Sequence, residues 1–180
     1  MSTAEEKKDN WNMFVALTTA AIAVLTAITT LYMGKFSSRT ILAQAQETDQ
    51  WAFYQAKSIK EHTFTLQKQH FELELEAMGG RISKGLAEKY GKAISTYGAT
   101  LERYVKEKQE IKDKAEALAK EKQLAQTKAG KFGFAMIFLQ IAIMMNSVSV
   151  VTKKRQLWYF GLAMTIGGVF FFVDGFYLFY

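Results

Sequence analysis

The chain has 180 residues, 49% of them apolar, a net charge of +6, and neither cysteine nor proline. Without cysteine there are no disulfides, thiol nucleophiles, iron–sulfur clusters or thiolate zinc sites. Average usage would supply about nine prolines, and their absence removes the residue that breaks helix interiors, so very long helices are open to this chain.

Residues 1–12 form a short polar tail expected to fray. Lys7 and Lys8 then precede an apolar run, Met13–Met33, that contains no Asp, Glu, Lys or Arg. Its length suits a helix crossing a hydrocarbon core of roughly 30 Å. It exceeds a usual signal-peptide core and no small-x-small cleavage site follows, so an uncleaved signal-anchor is expected. Ala16, Ala20, Ala23 and Ala27 fall roughly along one face. They read either as a close-packing surface for another helix or as ordinary span composition.

Residues 34–131 carry 18 of the 23 Lys/Arg and 13 of the 17 Asp/Glu. The signs are interleaved, which suits a solvated coiled-coil face rather than a nucleic-acid surface. From 41 to 73 one stripe runs Ile41, Ala45, Thr48, Ala52, Gln55, Ile59, His62, Leu66, Gln69, Leu73 in alternating steps of four and three. A second, Phe53, Phe64, Phe71, Leu75, Met78, lies on another face. Gly79-Gly80 then makes a turn cheap. The step pattern returns at Tyr90, Ile94, Tyr97, Leu101, Tyr104, Lys108 and Ile111 and continues to Ala129. A 3.5-residue repeat implies a left-handed supercoil.

The expected fold of the middle is therefore an antiparallel helical hairpin turning at 79–80. The first stripe is expected to be its seam, pairing Leu66 with Ala93, His62 with Tyr97 and Gln55 with Tyr104. That choice leaves Phe53, Phe64 and Phe71 wet, and exposed apolar patches of this kind mark interfaces. Self-association through those phenylalanines follows as an expectation. Lys108 and Lys122 fall on the seam, where a charge must snorkel to the edge or meet an acid.

A second uncharged run, Phe132–Val151, is followed by a basic loop, 152–156, and a third run, Leu157–Tyr180. The class is thus an all-α membrane protein of three transmembrane helices plus a long hairpin. Lys153, Lys154 and Arg155 are the topology determinants, since short loops rich in Lys and Arg stay cytoplasmic. The N-terminus is then cytoplasmic, while the hairpin and C-terminus face the periplasm. Lys35, Arg39, Lys120, Lys122, Lys128 and Lys131 favour the reverse, but they sit on a segment long enough to be discounted.

Gly161, Gly168 and Gly175 recur every seven residues and make a smooth strip for close packing, with span one as the candidate partner. Asp174 is the lone acid in a span. It reads as a wetted acid near headgroup depth, or as a functional or inter-subunit group for which Gln140 and Asn146 are possible partners. Trp11, Trp158, Tyr159, Tyr177 and Tyr180 cluster at span ends as an interfacial belt. His62 and His70 are more than two helical turns apart, too far for one metal site. No nucleophile–base pair, phosphate loop or paired-carboxylate site is present, so no catalytic, cofactor-binding or metal residue is assigned and no cofactor is expected.

The segment Asp49-Gln50-Trp51-Ala52-Phe53-Tyr54-Gln55-Ala56-Lys57-Ser58-Ile59-Lys60 resembles the most distinctive stretch of a bacterial family of small membrane proteins known as a domain of unknown function. The resemblance runs over nearly the whole chain and implies a bacterial membrane location without bringing an activity. Trp51, Tyr54 and Ser58 share a helical face, either a self-association or docking patch or part of the hairpin seam. The leading expectation is a non-enzymatic, homo-oligomeric inner-membrane scaffold or cage. Its partners would be its own copies and the lipid bilayer. The alternatives are a channel or transporter component, with Asp174, Asn146 and Gln140 lining a path, and an accessory subunit recruiting an unknown protein through the Trp51 face.

Overall fold

The computed structural model describes residues 2–179, with side chains from Trp11 onward. Among them the chain is all helix, in three pieces: α1 (Ser2–Met78), α2 (Lys84–Thr152) and α3 (Arg155–Tyr177). Each contains a stretch long and apolar enough to cross a membrane. The first two apolar runs are not helices of their own. Met13–Met33 is the early part of the 77-residue α1, and Phe132–Val151 ends the 69-residue α2. With no proline, nothing interrupts the backbone ladder, and Gly34, Gly130 and Gly133 remain helical. The tail expected to fray is helical from Ser2 in its backbone, while Tyr180 lies outside the described residues.

The break between α1 and α2 is a glycine turn. Gly79 and Gly80 have φ of +50° and +81°, and Arg81 N–H donates to the Met78 carbonyl at 2.9 Å. Positive φ costs glycine nothing and other residues a steric penalty, so the pair ends α1 here. Between α2 and α3 the reversal is tighter, with Lys153 at φ +58° and Lys154 extended.

The chain divides into two compact units, residues 43–120 and residues 1–42 with 121–180. In the first, α1 and α2 run antiparallel. Phe71 meets Tyr90, Phe64 meets Tyr97 and Lys57 lies over Tyr104, so each seven-residue step down α1 matches one up α2. Phe71 also stacks on Tyr97, and Phe64 reaches Tyr104. Five rings thus alternate between the helices, with centroids 5.4–5.7 Å apart. Aromatic pairs at this spacing add to what their buried area contributes.

This corrects the expected seam. Ile59, Leu66 and Leu73 stand outside at 68%, 52% and 65% exposure, while Phe64 and Phe71 are half-buried between the helices. The reason lies on α2. Its tyrosines present ring faces that phenylalanines fill, and Glu107 and Lys108 need opposite charges, which Lys57 and Glu61 supply from the phenylalanine face.

In the second unit, Val15, Ile22 and Thr29 of α1 are buried in seven-residue steps, and so are Phe132, Leu139 and Asn146 of α2. The threonine hydroxyls donate to carbonyls of their own helix, as in Thr19 to Val15 and Thr29 to Leu25 at 2.7 Å, which hides their polarity. Gly161, Gly168 and Gly175 of α3 face α2, not span one as expected. A Cβ would lie 2.3 Å from Asn146 Oδ1 at Gly161, 2.7 Å from Leu139 at Gly168 and 2.9 Å from Phe132 at Gly175. Each large α2 side chain therefore occupies a slot that only glycine leaves. Ala16, Ala20, Ala23 and Ala27 are exposed, so among the described residues the alanine face of α1 is not covered by another helix.

Candidate functional site

Six residues were expected to join copies or dock a partner: Trp51, Phe53, Tyr54, Ser58, Phe64 and Phe71. The structure divides them. Phe64 and Phe71 belong to the aromatic seam, as does Tyr54, whose ring sits 5.1 Å from Lys108 Nζ. Ser58 is half-buried on the same side. Trp51 packs edge-on to Tyr54 with centroids 5.7 Å apart and is 36% exposed. Phe53 alone stands clear, at 61%. Phe64 and Phe71 are thus unavailable to a second copy, because Tyr90, Tyr97 and Tyr104 already cover them.

The free surface is the stripe first read as the seam. Ala45, Ala52, Ile59, Leu66 and Leu73 are all exposed and lie seven residues apart. Their line stands two positions on from the inward series Ala43, Gln50, Lys57, Phe64, Phe71, which is buried at Ala43 and half-buried beyond it, on the opposite side of α1. A strict seven-residue repeat follows one straight line along a left-handed supercoil. The stripe is therefore a second straight apolar line, facing away from α2. Its spacing was visible in the sequence; its side was not.

Charges edge the inner seam. Lys57 bonds Glu107, Lys108 bonds Glu61, and the Tyr90 hydroxyl donates to Glu74 at 2.9 Å. The Lys57 ammonium holds the Glu107 carboxyl below its ordinary value of 4.5. The hydrogen bond to Glu61 raises Lys108 against the opposing effect of burial. The Glu74 carboxylate raises the Tyr90 phenol. Partly exposed pairs of this kind are screened by solvent and contribute little each. They fix which faces meet more than they hold them together.

Asp174 is not a wetted acid. It is buried, and its Oδ2 lies 2.8 Å from Lys131 Nζ. Oδ1 accepts from the Phe179 N–H and the main-chain carbonyl from Leu178 N–H, both at 2.7 Å. Lys128 Nζ donates to the Phe176 carbonyl at 3.3 Å. Two lysines of α2 thus clamp the C-terminal turn of α3, whose carbonyls and negative dipole end attract cations. Removing one partner of such a buried pair costs more than the pair contributes when intact.

Asn146 faces Gly161, thirteen residues earlier on α3 than Asp174, which is about 20 Å of helix at 1.5 Å per residue. Gln140 is exposed. Asp174, Asn146 and Gln140 are therefore not brought together to line one path.

Lys153, Lys154 and Arg155 are all exposed, with the Arg155 guanidinium 5.0 Å from the Trp11 ring. Trp11 meets Trp158 edge-on, and Trp158 Nε1 donates to Thr18 Oγ1 at 3.2 Å. The apolar start of α1 and the α2–α3 loop thus lie at the same end of their unit. Among the described residues no cluster of His, Asp and Glu is arranged to hold a metal ion.

The molecule so described is an all-helical protein with three helices apolar enough to cross a membrane. The family model for a domain of unknown function, DUF4337, matches residues 11–178, so the chain belongs to that family. No curated protein and no solved structure matches it.

Proposed function

We propose that this protein is a non-enzymatic scaffold of a bacterial inner membrane. Three transmembrane helices anchor each copy, and copies assemble through the outer stripe of the helical hairpin formed by α1 and α2. The observation that carries this reading is the exposed line Ala45, Ala52, Ile59, Leu66, Leu73 on a helix whose other face is already occupied. Burying each of the three larger side chains contributes about 1.5–3 kcal/mol. Copies anchored in one bilayer with one topology run in the same direction, so each stripe meets its equivalent in register. The interface is then isologous and closes as a pair.

The membrane part of the reading rests on the surface of the other unit. Phe14, Leu17, Val24, Leu31, Phe134, Ile137, Ile166 and Phe170 are 54% or more exposed there, and a patch of that extent suits lipid rather than water. We assign the basic loop and the N-terminal end of α1 to the cytoplasmic side on its charge, and the Trp11–Trp158 contact supports both being on one side. The hairpin is then periplasmic, which a phosphatase fusion at Gly79-Gly80 tests.

Native mass spectrometry in mild detergent tests assembly. Wild type is expected as a dimer. Replacing Ile59, Leu66 and Leu73 together by Gln is expected to give monomer with unchanged helix content. A monomeric wild type, or a triple variant that still assembles, contradicts the proposal.

A further inference from the structure

We infer that the corner between α2 and α3 binds the phosphate of an anionic glycerophospholipid; this rests on the membrane part of the function proposed above, but not on assembly. Lys153, Lys154 and Arg155 put three adjacent cations on an exposed reversal of the chain. Among the described residues none of the three forms an ion pair. The cations at the other end of the same unit differ: Lys131 meets Asp174, Lys128 meets the Phe176 carbonyl and Arg39 meets Glu121. At that end three of the cations are engaged within the chain, while the corner presents all three of its cations outward.

The surroundings suit a lipid better than a free anion. A guanidinium over an indole face keeps N–H groups for a second partner, and Arg155 lies over the Trp11 ring. The Trp11–Trp158 pair is pinned by the bond to Thr18, so the rings form a fixed floor beside the cations. Indole rings favour headgroup depth. Next to them Val151 and Tyr159 are 82% and 61% exposed, offering apolar surface to acyl chains. A phosphodiester between two lysines and the arginine, with its chains running along α3, satisfies both halves of this surface. Lysine and arginine near a membrane surface are attracted to anionic headgroups.

The test is lipid retention by the full-length protein in detergent, read by native mass spectrometry during titration with phosphatidylglycerol or phosphatidylcholine. Wild type is expected to retain phosphatidylglycerol at least tenfold better. The Lys153→Gln, Lys154→Gln, Arg155→Gln variant is expected to lose that preference. A control removing the same charge elsewhere, Arg81→Gln, Lys84→Gln, Lys89→Gln, is expected to keep it. Equal retention of the two lipids, equal loss in the control, or full competition by inorganic phosphate at matched concentration each overturns the inference. A chain that stays in solution without detergent instead overturns the membrane reading itself.

Discussion

The two compact units are built from the same seven-residue step and fill it with opposite chemistry. In residues 43–120 the step is occupied by tyrosine and phenylalanine edged with Lys–Glu pairs. In residues 1–42 with 121–180 it is occupied by Phe132, Leu139 and Asn146 seated over Gly175, Gly168 and Gly161. Where water is available, partly exposed charges are tolerable and select the partner face. Where the surroundings are apolar, association depends on close backbone approach, which glycine permits.

The contrast breaks most readily at the glycines. Gly168→Leu puts a side chain where Leu139 already stands, with even a Cβ 2.7 Å away. Overpacking of this kind costs about 1–3 kcal/mol or more, and thermal unfolding in detergent should show the largest drop of any variant discussed. Gly161→Ala should be similarly harmful, and combining it with Asn146→Ala should recover much of the loss, because the clash is with that amide.

Next in size is the aromatic ladder. Phe71→Ala removes contacts with Tyr90 and Tyr97 and should cost about 2–3 kcal/mol, at the low end for phenylalanine because the site is only half-buried. Phe53→Ala should leave stability within about 0.5 kcal/mol. Equal effects for the two would reverse the assignment of faces.

The charged edge sharpens the comparison by pH. Glu107 is held low, so its contribution is present above the ordinary carboxylate value and lost as pH falls through its lowered one. Lys108 and Tyr90 are raised, so theirs is present below their ordinary values of 10.5 and 10.0 and lost as pH rises through the raised ones. Circular dichroism against pH should show loosening at both extremes, and Lys57→Met should remove part of the acid limb. The smallest effect belongs to Arg39→Gln, since its pair with Glu121 is 56% and 42% exposed and such pairs contribute about 0–1 kcal/mol.

Much of this was legible in the sequence. Apolar length marked the membrane-compatible stretches, the diglycine marked the reversal at positive φ, and Tyr90, Tyr97 and Tyr104 marked the α2 face that is turned inward. The α1 face was not, for a physical reason. Hydropathy favours Ile59, Leu66 and Leu73 over a row containing Lys57 and Glu61, yet the charged row is inside because its charges are complementary to Glu107 and Lys108. The useful signal was Lys108 on an otherwise apolar seam: a lysine there needs an acid, and Glu61 is in reach only from the phenylalanine face. Of the two readings of Asp174, the wetted one fails for a similar reason: Lys131, far away in sequence, is the determining neighbour.

The central claim is that copies meet along the outer line of α1, and a cysteine scan in native membranes tests it most directly, because the chain has no cysteine of its own. Oxidation should link copies strongly at positions 59, 66 and 73, and weakly at 64 and 71. Absence of cross-links at the first three, or equal yield at all five, would contradict it.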